Sequence, residues 1–507
     1  MSRNSIHAMV RHCANSPAVN PRFAIETSPE AILLSGMIFV TAMLLQACIG
    51  FFLNIPIKGI YLYSSVFITL IADLSIGAYG KKIPLALYAF LATTLAIWVA
   101  VFLSSKTFDE SYDGMAYQQV SIIAMHLGWN PVYSAHLSDW WSATFPNRAW
   151  LSRTLADDGL WSDHYPMASW VLGSIVSSAT GSLNASKWLG IFLAFMACFA
   201  IFRGLRIIGA PALATAVIAI STTMSPVVVA QFGTNYVDGS LGSALTIQVG
   251  AFLSWASKRK RTDLLVLIFS IILASNFKFT GALYSLAMAT LALLLGFTTE
   301  KKLDGTDIKL IAFGAVCLGI ISFHPYADNL LAYGHPLYPM NVTNVMHGQI
   351  DQVFLDRDRI TKFIISSFNA VSSPTVAPLG PHLVLPRLWH YRILSTPDIR
   401  INGFGSLFIY SLGAALVCLL FCLTYIKSNS ASASRANLIW YAIGWIFITV
   451  VINPEFWWAR YVPQLWLIPP LAASLAFIEH RRWIGILTIS MSLIGAALTT
   501  IYVVSVT

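Results

Sequence analysis

Apolar residues in this chain are gathered into long blocks separated by short polar connections. The blocks run for about 20 residues, the length of helix that crosses a hydrocarbon core of ~30 Å. By run length they predict spans at 31–53, 59–79, 84–105, 186–203, 207–228, 238–256, 263–277, 280–298, 309–325, 403–425, 437–452, 461–479 and 483–505. The expected fold class is all-α: a polytopic membrane protein of about 13 transmembrane helices. Helices follow because backbone polar groups in lipid must be satisfied within the segment.

The polar connections set an orientation. Lys81-Lys82, Arg203 and Arg206, Lys258-Arg259-Lys260-Arg261, Lys301-Lys302 and Arg481-Arg482 fall on alternate connections, and Arg3, Arg11 and Arg22 of the N-terminal tail join them if 167–183 does not cross. That segment is apolar but rich in Ser and Gly, and is expected as an interfacial or re-entrant helix. The positive-inside rule then puts the basic face and the N-terminus in the cytoplasm and the C-terminus outside, in a cytoplasmic (inner) membrane. The predicted layout is a tail (1–30), three helices (31–105), a first outer loop with interfacial helices (106–185), further spans (186–325), a second outer loop (326–402) and the last spans (403–507). The outer stretches 106–166 and 326–402 hold 12 of the 22 acidic residues, among them Asp139, Asp157, Asp158, Asp351 and Asp398. Loops positioned by a rigid scaffold are where function concentrates.

Composition agrees and narrows the field. Of 507 residues, 57% are hydrophobic and 10% charged, against roughly 25% charged in a soluble domain. The net charge of +9 sits on alternate connections and does not point to nucleic acid. The six cysteines fall in apolar runs or the N-terminal tail, without metal-ligand spacing, so no disulfide framework or zinc site is expected. Gly-rich nucleotide loops, paired zinc-protease histidines and nucleophile elbows are missing from the sequence. No cofactor is expected to be required, although paired carboxylates are able to hold a divalent metal.

Four constellations carry candidate chemistry. Asp109-Glu110-Ser111-Tyr112-Asp113-Gly114-Met115-Ala116-Tyr117 directly follows a span, so its three carboxylates lie at the membrane surface. Asp109 and Asp113 would share a face if the stretch is helical. A carboxylate partly desolvated near lipid gains proton affinity and suits the base of a group transfer; the plainer alternative is an acidic helix start favoured by the dipole. Trp161-Ser162-Asp163-His164-Tyr165-Pro166 closes the first loop. His164 is a candidate for phosphate binding or proton relay, against an aromatic belt at the interface. Tyr333-Gly334-His335-Pro336-Leu337-Tyr338-Pro339 makes a rigid aromatic turn, which a loop anchor also explains. Asn453-Pro454-Glu455-Phe456-Trp457-Trp458-Ala459-Arg460-Tyr461-Val462-Pro463 puts an arginine where the charge rule disfavours one. Arg460 therefore calls for a phosphate or Glu455 as partner, or snorkels. Lys278 lies near the same face, Asp238 opens a span there, and Asp73 lies within a span, all costly placements.

In order, these elements resemble the GT-C superfamily of integral membrane glycosyltransferases, of the protein O-mannosyltransferase and aminoarabinose transferase type. Asp113-Gly114-Met115-Ala116-Tyr117 looks like the acidic start of its first loop, and His164-Tyr165-Pro166 like the opening of an interfacial helix. Gly334-His335-Pro336-Leu337-Tyr338-Pro339 resembles its Gly-x-Pro-x-Tyr-Pro turn, with His where Asn is more usual, and Arg460-Tyr461-Val462-Pro463 its late Arg-Tyr-x-x-Pro motif. The resemblance covers about 100–480. It departs in placing the acidic loop after the third span instead of the first, so 31–79 looks like an added helical pair. Both Asp113 and the Asp109-Glu110 pair stay candidates for the base. The resemblance implies transfer of a sugar from a polyprenyl-phosphate donor to a glycan, lipid or protein acceptor on the outer face. Asp113, Asp109 and Glu110 would be catalytic, and Arg460, His164, Tyr165, Lys278, His335, Tyr338 and Glu455 would bind substrate. The rival readings are a transporter or flippase of lipid-linked sugars, which calls for charges within spans, broken helices and a repeat, and a polysaccharide ligase or polymerase.

Overall fold

The computed structural model describes residues 25–134, 136–146, 161–298, 303–341, 354, 356–368, 403–405, 407–423 and 431–506, with backbone only at 431–435 and 502–506. Among these the chain is all-helical, with no strand. The α-helices in chain order are α1 (Ser28–Phe52), α2 (Ile60–Tyr79), α3 (Ile83–Ser104), α4 (Gln119–His126), α5 (Leu137–Thr144), α6 (Ala168–Thr180), α7 (Trp188–Ile207), α8 (Ala212–Thr223), α9 (Pro226–Ala230) and α10 (Asp238–Lys258). They continue as α11 (Arg261–Phe277), α12 (Phe279–Thr298), α13 (Gly305–Ile321), α14 (Asp328–Tyr333), α15 (Arg359–Phe368), α16 (Phe408–Leu423), α17 (Ala431–Ile452), α18 (Ile468–Ile478) and α19 (Arg482–Val506).

Among the described residues, six helices are long and apolar enough to cross a membrane: α1, α2, α3, α7 with the short turn before it, α12 and α19. A seventh is added if α13 and the segment Phe323–Tyr333, bent by 75° to it, count as one span. The chain thus has the make-up of a multi-pass membrane protein. Helices α2 and α3 turn Phe67, Leu91, Leu95 and Phe102 outward, as lipid-facing helices do.

Several expected spans are interrupted for local reasons. The run at 207–228 is broken into α8 and α9 at Ser225-Pro226, because a residue before proline is driven out of the α region. The run at 461–479 becomes two short 3₁₀ turns and α18, with Pro463, Pro469 and Pro470 punctuating it. The segment 167–183 forms α6, whose 13 residues span about 20 Å, short of a hydrocarbon core. The basic tail at 1–24, Lys301-Lys302, Asp157, Asp158, Asp351, Asp398 and most of the second loop lie outside the described residues.

Helix α10 is the axis of the fold. All 18 residues from Asp238 to Trp255 are buried, although the segment is rich in Gly, Ser and Thr. Small residues let backbones approach, which is how helices pack where lipid removes the hydrophobic drive. A Cβ on Gly250 would collide with the Ala200 carbonyl of α7, and one on Gly204 would lie 2.7 Å from the Gly250 carbonyl.

The two ends of α10, 21 residues and about 31 Å apart, carry different chemistry. One end is a buried ion-pair belt. Arg203 of α7 grips Asp263 of α11 with two hydrogen bonds of 2.9 and 3.0 Å and reaches Glu30 of α1 at 3.2 Å. Lys260 lies 3.3 Å from Glu30, and Arg261 bonds Asp304 and Asp307 at 2.7 and 3.1 Å. The basic connections around 203 and 258–261 therefore share a face. At the other end lie Asp238, Lys278 and the candidate loops.

Candidate active site

Helix α3 ends at Ser104, and turns over 105–107 and irregular backbone carry the chain to Ser111. Asp109 sits in that irregular stretch, outside any helix, and is saturated. It accepts from the Ser111 amide (3.0 Å) and hydroxyl (2.6 Å), and from the Asn235 amide (2.7 Å) and side chain (2.9 Å). The expectation that Asp109 and Asp113 share a helical face is corrected: the helix begins after Ser111, and Asp109 turns to the loop before α10. Gly114 is required here, because a Cβ would strike Asp109 and Ser111. Glu110 is exposed and does not line the cavity described next.

Asp113 points elsewhere. A π-helical turn over Gly114–Gln118 follows it and brings Asp113, Tyr117 and Gln118 to the wall of a cavity of about 440 Å³. Single π turns inside helices are frequent at functional sites. Arg460 reaches Asp113 across the cavity, Nη1 to Oδ2, at 2.7 Å, and lies 3.9 Å from Asp238. Lys278 donates to Asp238, which also accepts from Gln231 at 3.1 Å. The result is a buried cluster of two carboxylates and two cations. Tyr236 and Trp458 lie against the Arg460 guanidinium, and Lys278 stands 3.6 Å from the centre of the Tyr461 ring. Among the described residues the buried Nε of Arg460 has no hydrogen-bond partner, whereas most buried donors have one.

Local sequence explains how these groups meet. Lys278 occupies the extended break between α11 and α12, with φ −159° and ψ 150°, so its side chain leaves the end of one helix and faces the start of α10. The Arg460 turn is held by Tyr284 of α12, whose hydroxyl donates to the Tyr461 carbonyl at 2.8 Å and accepts from Asn453 at 2.6 Å.

The remaining expected residues divide into two groups. Tyr165 lines the cavity, stacked on Trp170 at 6.1 Å; burial, and then the charge of Asp238, push its phenol well above its ordinary range, so it stays a donor. Glu455 also lines the cavity and accepts from the Trp457 indole. The possible Glu455–Arg460 pair does not form; Asp113 takes that place. His164, His335 and Tyr338 are outside the cavity wall. His164 clasps the two loops: its Nδ1 meets Asn329 Oδ1 at 2.9 Å, and its ring packs against Tyr333 and Tyr338, which stack 4.0 Å apart. Burial lowers the His164 pKa below its ordinary value, partly opposed by the Asn329 bond and by Asp163. His335 receives the Leu337 amide at 3.2 Å within its own turn, and that turn sends Leu337 and Met340 to the cavity instead.

Comparison with family models, with curated proteins and with solved structures returns no match. The site is therefore read on its own geometry. Sequence reasoning named Asp238 as a costly charge but did not assign it to the site, it gave Asn453 no role within its constellation, and it assigned none to Tyr236 or Tyr284. The signal for Asp238 was present: a carboxylate opening a buried span, with a lysine at the end of the next. Among the described residues, no group of three or more His, Cys, Asp or Glu is arranged to hold a metal. Chemically, the arrangement offers three carboxylates in the cavity wall (Asp113, paired with Arg460; Asp238, paired with Lys278; and Glu455), two cations able to meet an anion, and an aromatic wall.

Proposed function

We propose that this chain is a membrane glycosyltransferase. It moves a sugar from a polyprenyl-phosphate donor to a glycan, lipid or protein acceptor on the outer face of the cytoplasmic membrane, and so serves a cell-envelope glycan. The observation that carries the reading is the 2.7 Å Asp113–Arg460 pair in the wall of a 440 Å³ aromatic cavity. The cavity lies at the opposite end of α10 and α11 from the basic belt, which supports an outer-face site with the N-terminus cytoplasmic.

In this reading the acceptor hydroxyl or amine attacks the anomeric carbon. The bond from that carbon to the phosphate oxygen breaks, polyprenyl phosphate leaves, and Asp113 takes the acceptor's proton. Arg460 and Lys278 meet the charge on the leaving phosphate. Asp113 and the phosphate compete for Arg460: the free cluster is neutral, and arrival of the phosphate loosens Asp113 from its ion pair and frees it as base. The free Nε of Arg460 offers a second donor to the same phosphate, in the forked geometry that guanidinium favours. Charge stabilisation comes from side chains, and the step as written calls for no cofactor.

The test is mass spectrometry of cell glycans and glycolipids with and without the gene, complemented by wild type and by Asp113→Asn. Loss of a sugar substituent restored only by wild type is expected. An unchanged glycan and glycolipid profile would refute the reading.

A further inference from the structure

The cavity is not confined to the end of the bundle. Leu283 on α12 and Ile452 on α17 line it, yet they are 39% and 51% exposed on the outer flank of those helices. Both helices are apolar, and α17 continues this outward face through Phe447, Ile448 and Val451. The two helices are tied on either side of Ile452: the Trp445 indole, about two turns before it, donates to the Tyr284 carbonyl at 3.0 Å, and Asn453, the residue after it, donates to the Tyr284 hydroxyl at 2.6 Å. The opening is thus a short gap on an apolar helix flank, bounded by hydrogen bonds. Inside it the wall joins apolar Leu283 and Phe279 to the cations Lys278 and Arg460.

A gap of this kind suits one ligand chemistry, a long hydrocarbon with an anionic head. The head must be an anion because the cations behind the gap are buried and Arg460 Nε lacks a partner. The tail must be apolar because the gap faces the side of the bundle that apolar residues cover. We infer that the seam between α12 and α17 is a lateral portal through which a phosphate-headed isoprenoid lipid enters, its tail lying between Leu283 and Ile452 and its phosphate at Lys278 and Arg460. This rests on the lipid-phosphate donor proposed above and adds where the tail lies, and with it the side from which the donor comes. The acceptor is left the end of the cavity near Tyr112 and Glu455, so donor and acceptor need not share a path.

The experiment uses the full chain in lipid nanodiscs and a polyprenyl phosphate with a photoreactive group in its first isoprene units. The label is expected on residues of 279–287 or 445–452. Leu283→Trp or Ile452→Trp fills the gap from a lipid-exposed position. Either should weaken binding of the long-chain phosphate about tenfold and leave methyl phosphate, which has no isoprenoid tail, nearly unchanged. Leu91→Trp on α3, also lipid-facing, should change neither. Label on another helix, or equal weakening of both ligands, would overturn the portal while leaving the donor reading intact. Failure of the wild-type protein to bind either phosphate would overturn both.

Discussion

Replacing Asp113 by Asn separates a catalytic carboxylate from a structural one, because the geometry predicts effects of opposite sign on binding and turnover. Asp113 and Asp238 face Arg460 and Lys278, so the buried cluster is neutral. Asn keeps the size, and its amide oxygen still accepts from Arg460 Nη1. The loss in folding is then the charge-assisted part of one hydrogen bond, on the order of 1–2 kcal/mol. Arg460 keeps Asp238 at 3.9 Å and the Trp458 and Tyr461 rings within about 5 Å, so it is not left uncompensated. The cluster gains one net positive charge. At roughly 5 Å and an effective dielectric near 20, that charge attracts a phosphate by about 3 kcal/mol before desolvation and rearrangement take their share. Donor binding should tighten about tenfold, since the phosphate no longer competes with a carboxylate for the guanidinium. Turnover should fall by roughly 10²–10⁴, the usual contribution of a positioned base. Purified protein in nanodiscs, with donor binding by isothermal titration, transfer by mass spectrometry and folded yield by size exclusion, reads all three. Weaker donor binding together with near-normal turnover would refute both the base and the competition for Arg460.

The other predictions use the same assays. Arg460→Lys keeps the charge but loses the planar fork and should lower donor affinity about tenfold; unchanged affinity would reduce Arg460 to a structural anchor. Asp109→Asn should cost about 2–3 kcal/mol of stability, because its four accepted hydrogen bonds tie the loop to Asn235. Exposed Glu110→Gln should stay within about 0.5 kcal/mol, both read by thermal unfolding, and a large turnover loss in either at normal stability would return the base to that pair. His164 has its pKa depressed by burial in the fold, so the unfolded chain binds its proton more readily. Stability is therefore full above the unfolded value near 6.5 and falls as pH drops below it. His164→Gln should flatten the fall that sets in below about pH 6.5 in a melting series, and an unaltered profile would rule out that histidine as its origin. In a background lacking the native cysteines, Ser142→Cys and Thr361→Cys should label from one side of the membrane and Lys258→Cys from the other, and labelling of all three from one side would break the topology.

The blocks of apolar residues and the alternation of basic connections were enough to specify an all-α chain, the positions of most helices, and the shared face of Arg203 and 258–261. These features are local in origin: run length decides whether a helix can cross, and the cost of buried charge decides where cations stop. Arg460 and Lys278 were also legible one by one, as charges in positions that lipid or the charge rule makes expensive, and Asp113 as one of three carboxylates beside a span. What the linear order could not contain is pairing. Asp113 and Arg460 are 347 residues apart in sequence and 2.7 Å apart in space. Asp109 and Asp113 are four residues apart in sequence, yet the start of the helix between them turns one to Asn235 and the other to the cavity. Proline breaks at 226 and 463 cut apolar runs that length alone read as continuous, because a backbone rule overrides hydrophobicity there. Only the tertiary packing decided that Asp238 belongs with Lys278 and Arg460, that His164 fastens two loops, and that Leu283 and Ile452 line the cavity while remaining exposed. Such relations depend on which helix faces which, and that is set by small residues and buried polar contacts distributed over the whole chain.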